Sequence, residues 1–78
     1  MRQSVHWVLR VRLESGEMVY FEDLQGDFAW TTPCRQDAKA YFDVEQARAM
    51  LRVLREHFRG EPTRFGERLK VVRVTVRR

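Results

Sequence analysis

Arg48, Arg52, Arg55 and Arg59 recur at intervals of four, three and four residues. On a helix that spacing gathers four guanidinium groups on one face. A guanidinium grips phosphate or carboxylate with a planar two-pronged fork that lysine cannot reproduce, so such a row is chemistry for holding an anionic surface. Glu45 and Glu56 stand at helical spacings from Arg48 and Arg52, and each such pair contributes only about 0.2–0.5 kcal/mol. Arg55 and Arg59 are then left as a like-charged pair that a phosphate backbone or an acidic protein surface would relieve. A purely solvated helix face would contain the same residues, so the row is weighed against its surroundings. A second basic group, Arg10, Arg12, Arg73 and Arg77, falls on the polar positions of two alternating segments near the chain ends. If those segments are neighbours, the four arginines share one sheet face with His6, Val8, Tyr20 and Thr75 between them, a composition similar to single-strand binding platforms.

The other reactive residue types are sparse. His6 and His57 are far apart, with no Cys or Asp at ligand spacing from either, so no metal site and no cofactor is expected. Cys34 follows Pro33 at the start of a short helical segment, where a thiolate is favoured, but nothing in the sequence aims a base at it. No paired carboxylates and no glycine-rich phosphate loop are present. The expectation is a non-enzymatic protein.

Seventy-eight residues allow one small domain spanning 1–78. Hydrophobic residues at 44%, charged residues at 33% and nine aromatic side chains describe a folding chain, not a disordered one. The net charge of +4 is modest, and thirteen of the fifteen cationic residues are arginine. No apolar run approaches the ~18 residues needed to cross a bilayer, and one cysteine cannot form an internal disulfide. These features lead to the expectation of a cytoplasmic protein without membrane contact.

The elements that must position the arginines follow from periodicity. Val5, Trp7, Leu9, Val11 and Leu13 alternate with His6, Val8, Arg10 and Arg12, which predicts a strand with one buried face. Residues 14–17 turn the chain, Met18 to Glu22 predicts the hairpin partner, residues 23–27 make a second turn, and Phe28 to Thr31 could add a third strand. Thr32-Pro33 predicts a short helix to about Ala38. Asp43 and Gln46 have the spacing of a capping box, and Val44, Ala47, Met50, Leu51, Leu54 and Phe58 form the stripe of an amphipathic helix that stops at Gly60 and Pro62. Thr63 to Arg68 reads as a connector, and Leu69 to Val76 as a last strand with Val72, Val74 and Val76 inward. The fold class is α+β, order β-β-(β)-α-β, with one main helix across a three- or four-stranded, mostly antiparallel sheet. Trp7 and Trp30 are expected in the core; an exposed indole would mark an interface. A sheet edge near Val19 or Val71 could pair with another chain and give a homodimer.

Trp30-Thr31-Thr32, followed by Ala38-Lys39-Ala40-Tyr41-Phe42-Asp43-Val44-Glu45-Gln46-Ala47, resembles a pattern in small bacteriophage and mobile-element proteins. There a W-T-T turn leads into A-K-x-x-F, a polar cap and a helix opening E-E-A. The resemblance covers about a quarter of the chain and implies a short ββαβ scaffold without catalytic residues, with Trp30 and Phe42 as core. Several proteins of that kind bind host machinery, including inhibitors of bacterial immune complexes. Two functional expectations result. One is a binding protein that engages a nucleic acid or nucleoprotein complex through Arg48, Arg52, Arg55 and Arg59, with Arg10, Arg12, Arg73 and Arg77 in reserve. The other is a protein-directed inhibitor or adaptor of the anti-CRISPR kind, acting on a host protein through a sheet edge and exposed aromatics.

Overall fold

The alternating segments pair as their periodicity requires. The computed structural model describes residues 3–26 and 28–77, and Asp27, read above as a turn residue, lies outside them. Strands β1 (Gln3–Arg12), β2 (Met18–Gln25) and β3 (Phe28–Thr32) form a meander. A 3₁₀ turn (Arg35–Asp37), helix α1 (Val44–His57), a single-turn helix α2 (Phe65–Arg68) and strand β4 (Lys70–Arg77) follow. The sheet is four-stranded and antiparallel in the order β3-β2-β1-β4, which makes the class α+β.

Leu9 and Val11 of β1, Val19 and Phe21 of β2, Ala47, Leu51 and Leu54 of α1, and Leu69 and Tyr41 make the core beneath the helix. The helix begins where Asp43 stops the extended chain: its Oδ1 accepts the Glu45 N–H at 2.8 Å, satisfying one orphan donor of the first turn. It ends before Gly60, whose φ of 79° supplies the left-handed residue after the last turn.

Three parts differ from expectation. Strand β2 runs on through Asp23, Leu24 and Gln25, because a bulge between Phe21 and Asp23 shifts the register without ending the ladder with β3. The short helix is a 3₁₀ turn only, after Thr32 Oγ1 accepts the Cys34 N–H at 3.1 Å. The connector after Pro62 contains α2, whose four residues are too few to show a period. There the Glu61 carboxylate accepts from the Thr63 hydroxyl and the Phe65 N–H, and those bonds, the Thr63 hydroxyl foremost, lower its pKa against an opposing desolvation.

The β4 faces are also reversed relative to expectation. Val72 lies opposite Val8, Val74 opposite His6 and Val76 opposite Ser4, whereas Arg73 lies opposite Trp7. The valines therefore share the face of His6 and Val8, away from α1. Val8 and Val74 are nonetheless buried, because residues 35–42 lie along that side, with the Phe42 ring 6.2 Å from His6.

Helix α2 crosses α1 at Gly66. A Cβ there would stand 2.9 Å from Arg55 Cα and 3.1 Å from the Leu54 carbonyl oxygen, both backbone atoms that cannot yield cheaply. Gly66→Ala is expected to cost about 1–3 kcal/mol of stability, read as a lower denaturation midpoint at an unchanged m-value. Tyr41 is buried with its hydroxyl unpartnered among the described residues. Burial, and secondarily the Asp23 carboxylate, raises its pKa, so the fold favours the neutral phenol. That contribution is complete below the ordinary value near ~10 and is lost as pH rises through the raised one. Tyr41→Phe is expected to leave stability unchanged or raise it by up to ~1 kcal/mol at neutral pH, and to flatten the decline in thermal midpoint between pH 9 and 12.

Candidate anion-binding surface

Successive residues of an α-helix advance about 100°, so Arg48, Arg52, Arg55 and Arg59 span about 60° of arc. Their centre is about 100° from the buried stripe of Ala47, Leu51 and Leu54. The row therefore runs along a flank of α1, not along the face opposite the core. Arg55 shows which flank: its Nη2 donates to the Leu69 carbonyl at 3.4 Å, and its Cα faces Gly66. The ridge thus looks toward α2 and β4. Two anchors fix the direction, since Arg55 meets the start of β4 while Tyr41, just ahead of the helix, bridges Trp7, the partner of Arg73. Helix and strand run antiparallel, and Arg73, exposed on the helix side of β4, stands on the same flank as the ridge.

The pairing within the ridge corrects the sequence reading. Glu45 does hold Arg48, at 2.8 Å, but Glu56 reaches forward to Arg59, at 3.6 Å, and not back to Arg52. Both pairs have side chains more than half exposed, so each contributes less than ~1 kcal/mol and is easily exchanged for another anion. Arg52, exposed at mid-ridge, has no ion pair among the described residues, and Arg55 has only the long bond to a carbonyl. The cations that most need an external anion are therefore Arg52 and Arg55, not Arg55 and Arg59.

The second basic group does not assemble as expected. Strands β1 and β4 are indeed neighbours, but the register places Arg10 and Arg12 on the face away from α1 and Arg73 on the helix face. The side chain of Arg77 lies outside the described residues. Lys70, which sequence reasoning left aside, lies directly opposite Arg10 and joins Arg10 and Arg12 as a smaller basic group. Only the register could have revealed that juxtaposition. Charge is divided along the chain as well: residues 1–33 carry −2 and residues 34–78 carry +6. The modest total conceals an acidic ribbon and a strongly basic helix-and-strand half.

The remaining candidates are placed elsewhere. Cys34 is exposed beside the 3₁₀ turn, His6 packs on Phe42, and His57 packs edge-to-face on Phe58. Among the described residues no three His, Cys, Asp or Glu side chains gather as metal ligands, and no helix is long and apolar enough to cross a membrane. Trp30 and Phe42, expected in the core, are 49% and 75% exposed, while Trp7 is half-buried against it. No family model matches the chain, and neither the curated proteins nor the solved structures contain a significant match.

Exchanging Glu45 and Glu56 for glutamine tests how loosely the ridge is held. The double variant is expected to change stability by less than about 1 kcal/mol while eluting from immobilised heparin at higher salt than the parent.

Proposed function

We propose that the chain is a small non-enzymatic binding protein, of the phage or mobile-element kind its sequence resembles, that engages a nucleic acid or nucleoprotein partner through the α1 ridge. The observation that carries this reading is the coincidence of Arg52 and Arg55, lacking acidic partners, with Arg73 on the same flank. Phosphates on one strand are spaced about as far apart as successive turns of a helix, so guanidiniums every three to four residues, 4.5–6 Å along the axis, can follow a backbone. Exposed guanidiniums gain from releasing the counterions condensed on such a polyanion. Arg48 and Arg59 can join by exchanging an intrahelical carboxylate for a phosphate at little cost. Arg10, Arg12 and Lys70, on the other face, form a separate reserve surface.

An acidic protein surface would satisfy the same forks, and the inhibitor or adaptor reading differs in using a sheet edge and exposed rings, for which Phe28 and Trp30 are the available residues. Salt and charge reversal separate the two. With three or four phosphates neutralised, log affinity for a 20–30-base-pair duplex probe is expected to fall with log salt at a slope of roughly −2.7 to −3.6. Arg52→Glu/Arg55→Glu is expected to abolish that binding with the circular dichroism spectrum retained. A complex insensitive to salt, or one unaffected by the double reversal, would overturn the assignment.

A further inference from the structure

Val19, one of the two places where a sheet edge was expected to pair with another chain, lies in β2 inside the sheet, so that expectation is withdrawn. A defined concavity lies elsewhere, where the chain turns after α1. The Glu61 N–H donates to the Phe58 carbonyl at 3.1 Å and the Arg64 N–H to the Glu61 carbonyl at 2.9 Å, two successive turns that fold this segment back on itself. Arg64 takes a left-handed φ of 57°, uncommon for a residue with a side chain, and so sets the direction in which Phe65 leaves. The result is a pocket of about 250 Å³ lined by Phe28, Ala29, Phe58, Glu61, Thr63 and Phe65.

Half of the lining is phenylalanine, contributed by β3, the end of α1 and the start of α2. Phe58 and Phe65 pack against the core and meet nearly at right angles, with ring centroids 5.1 Å apart at 74°, so they form a corner. Phe28 lines the same space from β3, steadied by its edge-to-face contact with Trp30 at 4.9 Å. Glu61 is the only charged residue of the lining. Its bonds from the Thr63 hydroxyl and the Phe65 N–H both end on Oε2, and Oε1 has no partner among the described residues. The neighbouring cations are already matched, Arg59 to Glu56 at 3.6 Å and Arg64 to Glu67 at 3.9 Å.

We infer that this pocket binds a quaternary ammonium head group, held against the Phe28, Phe58 and Phe65 rings and neutralised by the Glu61 carboxylate. The face of each ring carries negative potential and attracts a cation, most strongly where water is excluded. Other occupants fit the lining less well. A neutral apolar group would desolvate the carboxylate without compensating it. A lysine ammonium is strongly hydrated and brings three donors, more than one carboxylate and one hydroxyl satisfy in an aromatic pocket. A guanidinium is flat and stacks on a single ring, leaving the corner unfilled. A trimethylammonium group is round, spreads its charge over its methyl groups and donates no hydrogen bond, so ring faces and one carboxylate suffice. The pocket is smaller than the ~300 Å³ at which sites for drug-sized ligands begin, a size that suits a head group whose chain stays outside. None of the lining residues belongs to the α1 ridge, so the inference does not rest on what the ridge binds.

Choline is the probe, and dimethylbutanol, in which a tert-butyl group replaces the trimethylammonium, is its uncharged match in shape. In nuclear magnetic resonance titrations of the full chain, ring currents are expected to move the choline N-methyl proton signal upfield. Choline at millimolar concentration should also shift the amide signals of Phe28, Ala29, Phe58, Glu61 and Phe65, and dimethylbutanol should bind about tenfold more weakly. That comparison requires no variant to fold. Phe28→Leu keeps an apolar side chain at an exposed position but removes a ring face, and is expected to weaken choline roughly two- to fivefold. Glu61→Gln keeps an oxygen for the Thr63 and Phe65 donors but removes the charge, and is expected to weaken it roughly fivefold. Equal binding of dimethylbutanol, no upfield shift, or an affinity unchanged in both variants would overturn the assignment. A trimethyllysine peptide then identifies the bearer of the group: binding tighter than choline assigns it to a modified protein side chain and weaker binding to a free small molecule, both upholding the ammonium site. Equal binding of the unmethylated peptide would overturn it.

Discussion

Two hydrogen bonds between Trp7 and Tyr41 fix most of this small architecture. The Trp7 N–H donates to the Tyr41 carbonyl at 2.7 Å, and the Tyr41 N–H donates back to the Trp7 carbonyl at 2.8 Å. They occupy the side of β1 that β2 leaves open, because β1 and β2 pair only through Arg10–Arg12 and Met18–Tyr20. One step away the Lys39 N–H donates to the Phe21 carbonyl at 3.0 Å, so residues 39–41 form a wedge bonded to both strands. The wedge satisfies backbone groups that would otherwise be stranded where the β2–β3 ribbon diverges. It also drops the Tyr41 ring into the core and delivers Asp43 to the point above β1 where α1 must start.

The position of the ridge follows. With its start set by Tyr41 and its buried stripe set by Ala47, Leu51 and Leu54, α1 has no remaining freedom to rotate. The arginines fall on the flank toward β4 because they lie about 100° around from that stripe. Gly66 fixes the other end, since α2 approaches α1 closely enough that a methyl group would collide with its backbone. The bond from Arg55 to the Leu69 carbonyl then closes the angle between α1 and β4. The guanidiniums are placed by the packing of apolar residues and backbone; the two exposed intrahelical pairs contribute little to that placement.

The elements themselves were legible in the sequence for local reasons. The Asp43 cap, the apolar spacing of α1, the Gly60 stop and the alternation in β1 each act within one or two turns of chain, and each appears where it was read. The faces of β4 were not legible. Leu69 and Val71 alternate with Val72, Val74 and Val76 in such a way that both sides of the strand are apolar over part of its length. Alternation separates two sets without saying which one a helix will cover. Leu69 joins the core and Val71 packs against it, which commits Arg73 to the helix side and the valines to the other, where residues 35–42 shelter Val74. Trp30 and Phe42 misled for a related reason: hydrophobicity favours burial, but a domain with one helix cannot cover every large ring.

That shortage of cover explains the unequal edges. A chain of 78 residues has one long helix, and the core beneath it takes that helix entirely. Residues 35–42 cover part of the opposite face, and the edges of the sheet are left to their own composition. At β4 the composition is cationic, like the guanidinium ridge beside it, and repels a second copy of the same strand. At β3 it is neutral and aromatic, which offers no such repulsion. The cations thus lie at one edge of the sheet and the exposed rings at the other, so the charged and the aromatic surfaces occupy separate parts of the molecule.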